Sequence, residues 1–280
     1  MRVIKVSLVK EAVEELCLKA NFELRPDVLK GLKRALASET NPRAKGILKS
    51  IVENARLAKA DSLAICQDTG MVFVHLEIGQ DVRLTGGSLR KAIDDGVKSA
   101  YAKGYLRKSV VGDCIIRRNT KTNTPAHIVT EIVDGNRVKI DVSPKGFGSE
   151  NKSRIRMLKP TASIREIKDF IIDVVREAGP GACPPFVIGV GIGGTFDVAA
   201  GLAKRSLLRP IDKVNPDRHL GRLEKELLIE INSLGMGPMA LGGKTTALGV
   251  NMLGHATHIA GLPVAVNMSC HATRSASRTL

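Results

Sequence analysis

The chain has 280 residues, 43% of them apolar and 25% charged, with no Trp and only 3% aromatics, which is globular usage built on an aliphatic core. No run approaches the roughly 18 apolar residues of a membrane span, and the start MRVIKVSLVKEAVEEL turns acidic too early for a signal peptide, so a cytoplasmic protein away from membranes is expected. The net charge of +15 is dispersed among acidic residues, and two Tyr with six Phe leave little for base stacking; an anionic small substrate or an acidic partner accounts for the charge as well as nucleic acid does.

The first sixty residues read as helical. In SLVKEAVEELCLKA (7–20), Val9, Val13, Leu16 and Cys17 share one face at helical spacing. Pro26 and Pro42 each stand where a first helical turn begins. After CQDTG, VFVHLEIG (72–79) reads as a strand, and GSLRKAIDDGVKSAYAKG (87–104) returns to helix. AHIVTEIV (126–133) and RVKIDV (137–142) flank Asp134-Gly135-Asn136, which predicts a β-hairpin.

The loop KGFGSENKS (145–153) precedes a helix over 163–177 that opens on the capping-box pattern Ser163-Ile164-Arg165-Glu166. Then come a strand FVIGVGIG, a helix TFDVAAGLAKRSLL, a charged helix near 217–233, a glycine-rich stretch and a last strand LPVAVNM (262–268). With no repeat and no linker, the pattern predicts one α+β unit over 1–280. It has a helical N-terminal subregion (1–60), then mixed or antiparallel strands with helices and long site-bearing loops.

The five cysteines are odd in number, widely spaced and never CxxC, which argues against a disulfide scaffold and a compact zinc module. Cys66 precedes QDTG, Cys183 sits in GPGACPPF and Cys270 follows a strand in MSCHATR, each at a break between regular elements. Cys17 on a helix face and Cys114 among strand-like residues read instead as packing. Three loop thiolates can hold one metal centre, or Cys66 can be a nucleophile beside a histidine; spacing leaves both open.

Asp68 is placed either as a general base or as a turn cap. Gln67 can donate to a carboxylate and Arg107 can grip one bidentately. His255 and His258, three apart, would share a helix face. GVGIGG (189–194) matches the dinucleotide pattern GxGxxG, but the second strand that should end in an acidic residue about 20 residues on is missing, and KRSLLRPIDKVNPD intervenes. GMGPMALGGKTT misses the phosphate-loop pattern at Pro238.

Together AICQDTGMVFV, LRKSVVGDCIIRRNTKTNTPAHI, KGFGSENKS, CPPFVIGVGIGGT and GGKTTALGVNMLGHATHIAGLPVAVNMSCHATR resemble the class I, iron–sulfur fumarate hydratases and the related L(+)-tartrate dehydratases, in one order and over nearly the whole chain. The resemblance implies a [4Fe-4S] cluster with one open iron, held by Cys66, Cys183 and Cys270. It implies Asp68 as acid/base, and Gln67, Arg107, Gly148 and His258 as substrate contacts; Gly146, two residues from Gly148, competes for its place. Because single-chain members continue into a second domain, it implies a cluster-binding α subunit whose β subunit completes the pocket in a hetero-oligomer.

The activity so expected is the reversible hydration of fumarate to L-malate, with L(+)-tartrate dehydration as the alternative and an NAD- or nucleic-acid-binding module as the rival of another class. Cys114 stands where the family commonly has proline.

Overall fold

The computed structural model describes residues 1–280. In chain order the elements begin β1 (Arg2–Lys5), α1 (Val6–Phe22), α2 (Pro26–Ser38), α3 (Pro42–Ala60), β2 (Met71–Gly79) and β3 (Val82–Thr85). They continue α4 (Leu89–Lys103), β4 (His127–Val133), β5 (Val138–Lys145), α5 (Phe147–Glu150), β6 (Arg154–Leu158) and α6 (Ile164–Ala178). The chain ends β7 (Phe186–Gly193), α7 (Phe196–Ser206), α8 (Arg218–Asn232), β8 (Ala247–His255), β9 (Leu262–Ser269) and β10 (Ala276–Thr279). The fold is α+β, as expected.

Contacts divide the chain into two compact units, each assembled from segments distant in sequence. One comprises Met1–Arg25, Asn54–Phe147 and Arg274–Leu280; the other comprises Pro26–Glu53 and Gly148–Thr273. The helical N-terminal stretch is therefore shared between the units, and no linker marks a boundary because the chain changes unit three times after the first crossing.

The first unit holds the sheet β10-β5-β2-β4, with β2 parallel to β4 and antiparallel to β5. Val72, Val74 and Leu76 of β2 alternate into a core with Val9, Val13, Leu16 and Cys17 of α1 and Ile93, Val97 and Tyr101 of α4. The face of α1 read from periodicity is the buried face. The expected hairpin between β4 and β5 does not form. β2 inserts between them, and residues 134–137 cross its end, where Gly79 N donates to Arg137 O and Gln80 N to Val133 O. The turn chemistry suits a hairpin, but both strands gain more by flanking the apolar β2.

The second unit holds the sheet β6-β9-β7-β8. Ile188 and Val190 of β7 face a core with Phe170, Ile171 and Val175 of α6 and Leu223, Leu227 and Ile231 of α8. The capping box at Ser163 and Glu166 is formed, and Asp217 caps α8. The alternate residues of β7, Gly189 and Gly191, face α7. A Cβ at 189 would lie 2.2 Å from Ala203 O and one at 191 would lie 2.1 Å from Ala199 O. The glycines of GVGIGG thus let a helix backbone approach a strand. That is a packing role, and it removes the ground for the dinucleotide reading.

Candidate active site

Residues 66–70 run from the end of the α3 connection into β2, and buried side chains hold the three carbonyls of Asp68, Thr69 and Gly70. Arg274, 4% exposed, donates from Nη2 to Asp68 O and from Nε to Pro144 O at 3.3 Å. Tyr101 O–H donates to Thr69 O at 2.5 Å, and Asn123 Nδ2 donates to Gly70 O at 3.0 Å. Thr69 Oγ1 donates to Arg107 O at 2.6 Å, which ties the backbone of the arginine segment to the same turn. Gly70 adopts φ +74°, and a Cβ there would lie 2.6 Å from Lys145 C, so only glycine fits.

Within this clamp the Asp68 carboxylate has a fixed orientation. Oδ1 accepts from Gly70 N at 3.0 Å and Oδ2 from Phe147 N at 2.7 Å. The first bond is the turn cap read from the sequence; the second ties the carboxylate to the KGFGSENKS segment. Asp68 and Cys66 remain partly accessible, and Gln67 and the Arg107 side chain are exposed. The first unit therefore gathers Cys66, Gln67, Asp68 and the Arg107 segment around one rigid turn. Of the two glycines in KGFGSENKS, Gly146 is the one against Asp68, its Cβ position 3.1 Å from Oδ2.

In the second unit Cys183 and Cys270 stand at the same end of the sheet, since Val187 of β7 pairs with Ser269 of β9. His271 N donates to Cys183 O at 3.2 Å, and His271 Nδ1 lies 3.1 Å from the same oxygen, which sets the ring proton on Nδ1. Cys183 is exposed and adopts the left-handed conformation (φ +53°, ψ 69°), Cys270 is partly exposed, and no cysteine of the chain is in a disulfide. A Cβ on Gly148 would lie 3.4 Å from Gly181 O, so Gly148 borders the Cys183 loop. Its segment is fixed to β9 by Asn267 Nδ2, which donates to Glu150 Oε2 at 2.9 Å and to Ser153 Oγ at 3.0 Å.

His258 is not brought to these thiols within the chain. β8 runs parallel to β7, and His255 pairs with Gly193 at the opposite end of the sheet, six strand residues or roughly 20 Å away. His255 and His258 lie on a strand end and the turn after it, not on a helix face. A cavity of about 510 Å³ at that end is lined by Asp217, Met252, His255 and Thr257; it contains none of the cysteines.

The two cysteines read as packing part company. Cys17 is fully buried, and burial pushes its thiol well above the ordinary range, so it is inert as a thiolate. Cys114 is exposed, in a turn where Asp113 Oδ1 accepts from Ile115 N and Ile116 N. Its strand-like neighbours are held by that turn, which corrects the expectation. In the sequence Tyr101 reads only as an apolar position in register with Leu89, Ile93 and Val97 along the helix over 87–104, and Arg274 only as the last letter of SCHATR.

A family model described as Fumarate hydratase (Fumerase) matches residues 10–279. The chain belongs to the fumerase family. A Methanocaldococcus jannaschii protein provisionally named L(+)-tartrate dehydratase subunit alpha is 40% identical over 97% of this chain and 97% of its own length. The Escherichia coli (strain K12) L(+)-tartrate dehydratase subunit alpha is 28% identical over 96% of this chain and 89% of its own length, as is its counterpart from Escherichia coli strain UTI89. The chain is thus an enzyme of the hydro-lyase class, and the rival reading as a binding module falls away. No helix is long and apolar enough to cross a membrane.

Proposed function

We propose that this fumerase-family chain is the α subunit of an iron–sulfur hydro-lyase that interconverts fumarate and L-malate in the cytoplasm, with a β subunit completing its site. The rigid turn that orients the Asp68 carboxylate beside Cys66 and the Arg107 segment carries this reading.

Cys66, Cys183 and Cys270 would hold the cluster. The donor set fits: all three are accessible thiols at loop positions outside any disulfide, and thiolates are the soft ligands iron–sulfur groups take. When bound, a [4Fe-4S] cluster with an open iron supplies a Lewis acid for the hydroxyl and neighbouring carboxylate of a 2-hydroxy acid.

The chain's own groups do the rest. Asp68 takes the proton from the carbon beside the second carboxylate and returns it in the reverse direction. Its two backbone N–H partners keep it aimed, and the buried Arg274 and Tyr101 stop the turn from relaxing. Arg107 pairs with a substrate carboxylate, Gln67 donates to it, and a backbone N–H at Gly148 adds a further contact. His258, at the far end of its sheet, is left out of this set within one chain.

The names of the archaeal and bacterial relatives favour a second reading, L(+)-tartrate as substrate. The α chain, anaerobically reconstituted with its partner subunit, is expected to show higher kcat/KM on L-malate and fumarate than on L(+)-tartrate. A tartrate preference of several hundredfold would replace the first reading by the second.

A further inference from the structure

The face of the first unit's sheet opposite α1 carries an unusual charge cluster. His75 and Glu77 project from β2, Lys139 and Asp141 lie opposite them on β5, Glu131 stands on β4 and Ser277 on β10. His75 is 2% exposed, and neither ring nitrogen has a hydrogen-bond partner. A buried imidazole left so is costly, since its polar atoms have given up water.

The distances say what the ring is aimed at. Nδ1 lies 3.6 Å from Asp141 Oδ2 and Nε2 lies 3.7 Å from Glu131 Oε2. Both are too long for hydrogen bonds of about 2.7–3.2 Å. Yet the Nδ1–Asp141 distance is close to the roughly 3.4 Å that separates two ligands each about 2.1 Å from one tetrahedral ion. The ligand atoms of His75, Glu77 and Asp141 all fall within 4.8 Å of one another.

A cation already uses this point: Lys139 Nζ lies 3.1 Å from both Glu77 Oε1 and Asp141 Oδ2. One ammonium stands among three carboxylates, those of Glu77, Asp141 and Glu131, in a chain that is otherwise strongly basic.

We propose that His75, Glu77 and Asp141 form a divalent-cation site, separate from the cysteines, in which the Lys139 ammonium stands in for the ion until it swings out along its half-exposed stem. One imidazole and two carboxylates suit a first-row divalent ion, the oxygen-preferring Mn²⁺ or the borderline Fe²⁺ or Zn²⁺. The site gives His75 the partner its burial demands. It stands independently of the iron–sulfur reading.

The test titrates the full chain with Mn²⁺ alone and follows free Mn²⁺ by electron paramagnetic resonance, because thiolates bind this ion poorly. The wild type is expected to take up one Mn²⁺ per chain. Glu77→Gln, at a partly exposed position, should weaken uptake by at least about tenfold. Lys139→Met, which removes the competing charge, should tighten it by about tenfold or more, and Mn²⁺ should raise the melting temperature of that variant above its metal-free value. A merely structural cluster would not bind tighter after losing its lysine. Absence of uptake at millimolar Mn²⁺ in both wild type and Lys139→Met would overturn the site and leave the cluster a structural ion-pair network around Lys139. Uptake unchanged by Glu77→Gln would overturn it equally.

Discussion

Asp68→Asn is expected to lower kcat by about 10³-fold, the scale of a positioned general acid or base, while iron content stays at the wild-type level. The substitution keeps the shape and removes the charge. Asp68 Oδ1 and Oδ2 each accept from a backbone N–H, of Gly70 and of Phe147. An amide can accept only one of these and turns its own NH₂ toward the other. A small fall in melting temperature therefore accompanies the loss, and it separates the two effects: the turn stays clamped through Arg274, Tyr101 and Asn123, but the proton acceptor is gone. Parallel anaerobic measurement of kcat, iron and melting temperature checks this. A variant that keeps its iron and turns over within about threefold of wild type, against the 10²–10⁴ expected of such a group, would remove Asp68 from the chemistry.

The second large effect concerns the thiols. Serine at 66, 183 or 270 is expected to abolish cluster retention after anaerobic reconstitution, since a hydroxyl is a harder and far less acidic donor than a thiol. Cys17→Ser should retain the cluster, because Cys17 is wholly buried between α1 and the sheet with its thiol held protonated. Its cost falls on stability instead, through a buried hydroxyl. Visible absorption together with iron assay of the four variants distinguishes the outcomes. Equal loss in Cys17→Ser and Cys66→Ser would mean that the fold was damaged and no ligand identified; full retention in any one of the three loop variants would strike that residue from the ligand set.

How much of this was legible in the sequence depends on whether local or distant physics decided each feature. Helices announced themselves through local signals: Pro26 and Pro42 at first turns, Ser163 with Glu166 as a capping box, and the apolar stripe of α1. Strand partners did not. The turn at Asp134-Gly135-Asn136 reads as a hairpin, and only the pairing of β2 with both flanking strands shows that a third strand lies between them. β8 was missed, because Gly249, Asn251 and Gly254 blur its alternation and its strand character comes from burial between β7 and α8.

The site shows the same division. Cys66, Asp68, Cys183 and Cys270 carry their chemistry in their side chains and stand in breaks that a reader can see. Arg274 and Tyr101 act by holding backbone carbonyls of a turn far away in the chain, and no spacing rule reports that. The glycines of GVGIGG illustrate the opposite error. Their pattern is that of a dinucleotide-binding turn, yet what they accommodate is the backbone of α7 at Ala199 and Ala203.

The central claim is that one iron–sulfur cluster belongs to these thiols. Its most direct measurement is the iron and acid-labile sulfide content of protein purified without exposure to oxygen. About four of each per chain are predicted, as for a [4Fe-4S] cluster, and a colourless protein with neither would contradict the account.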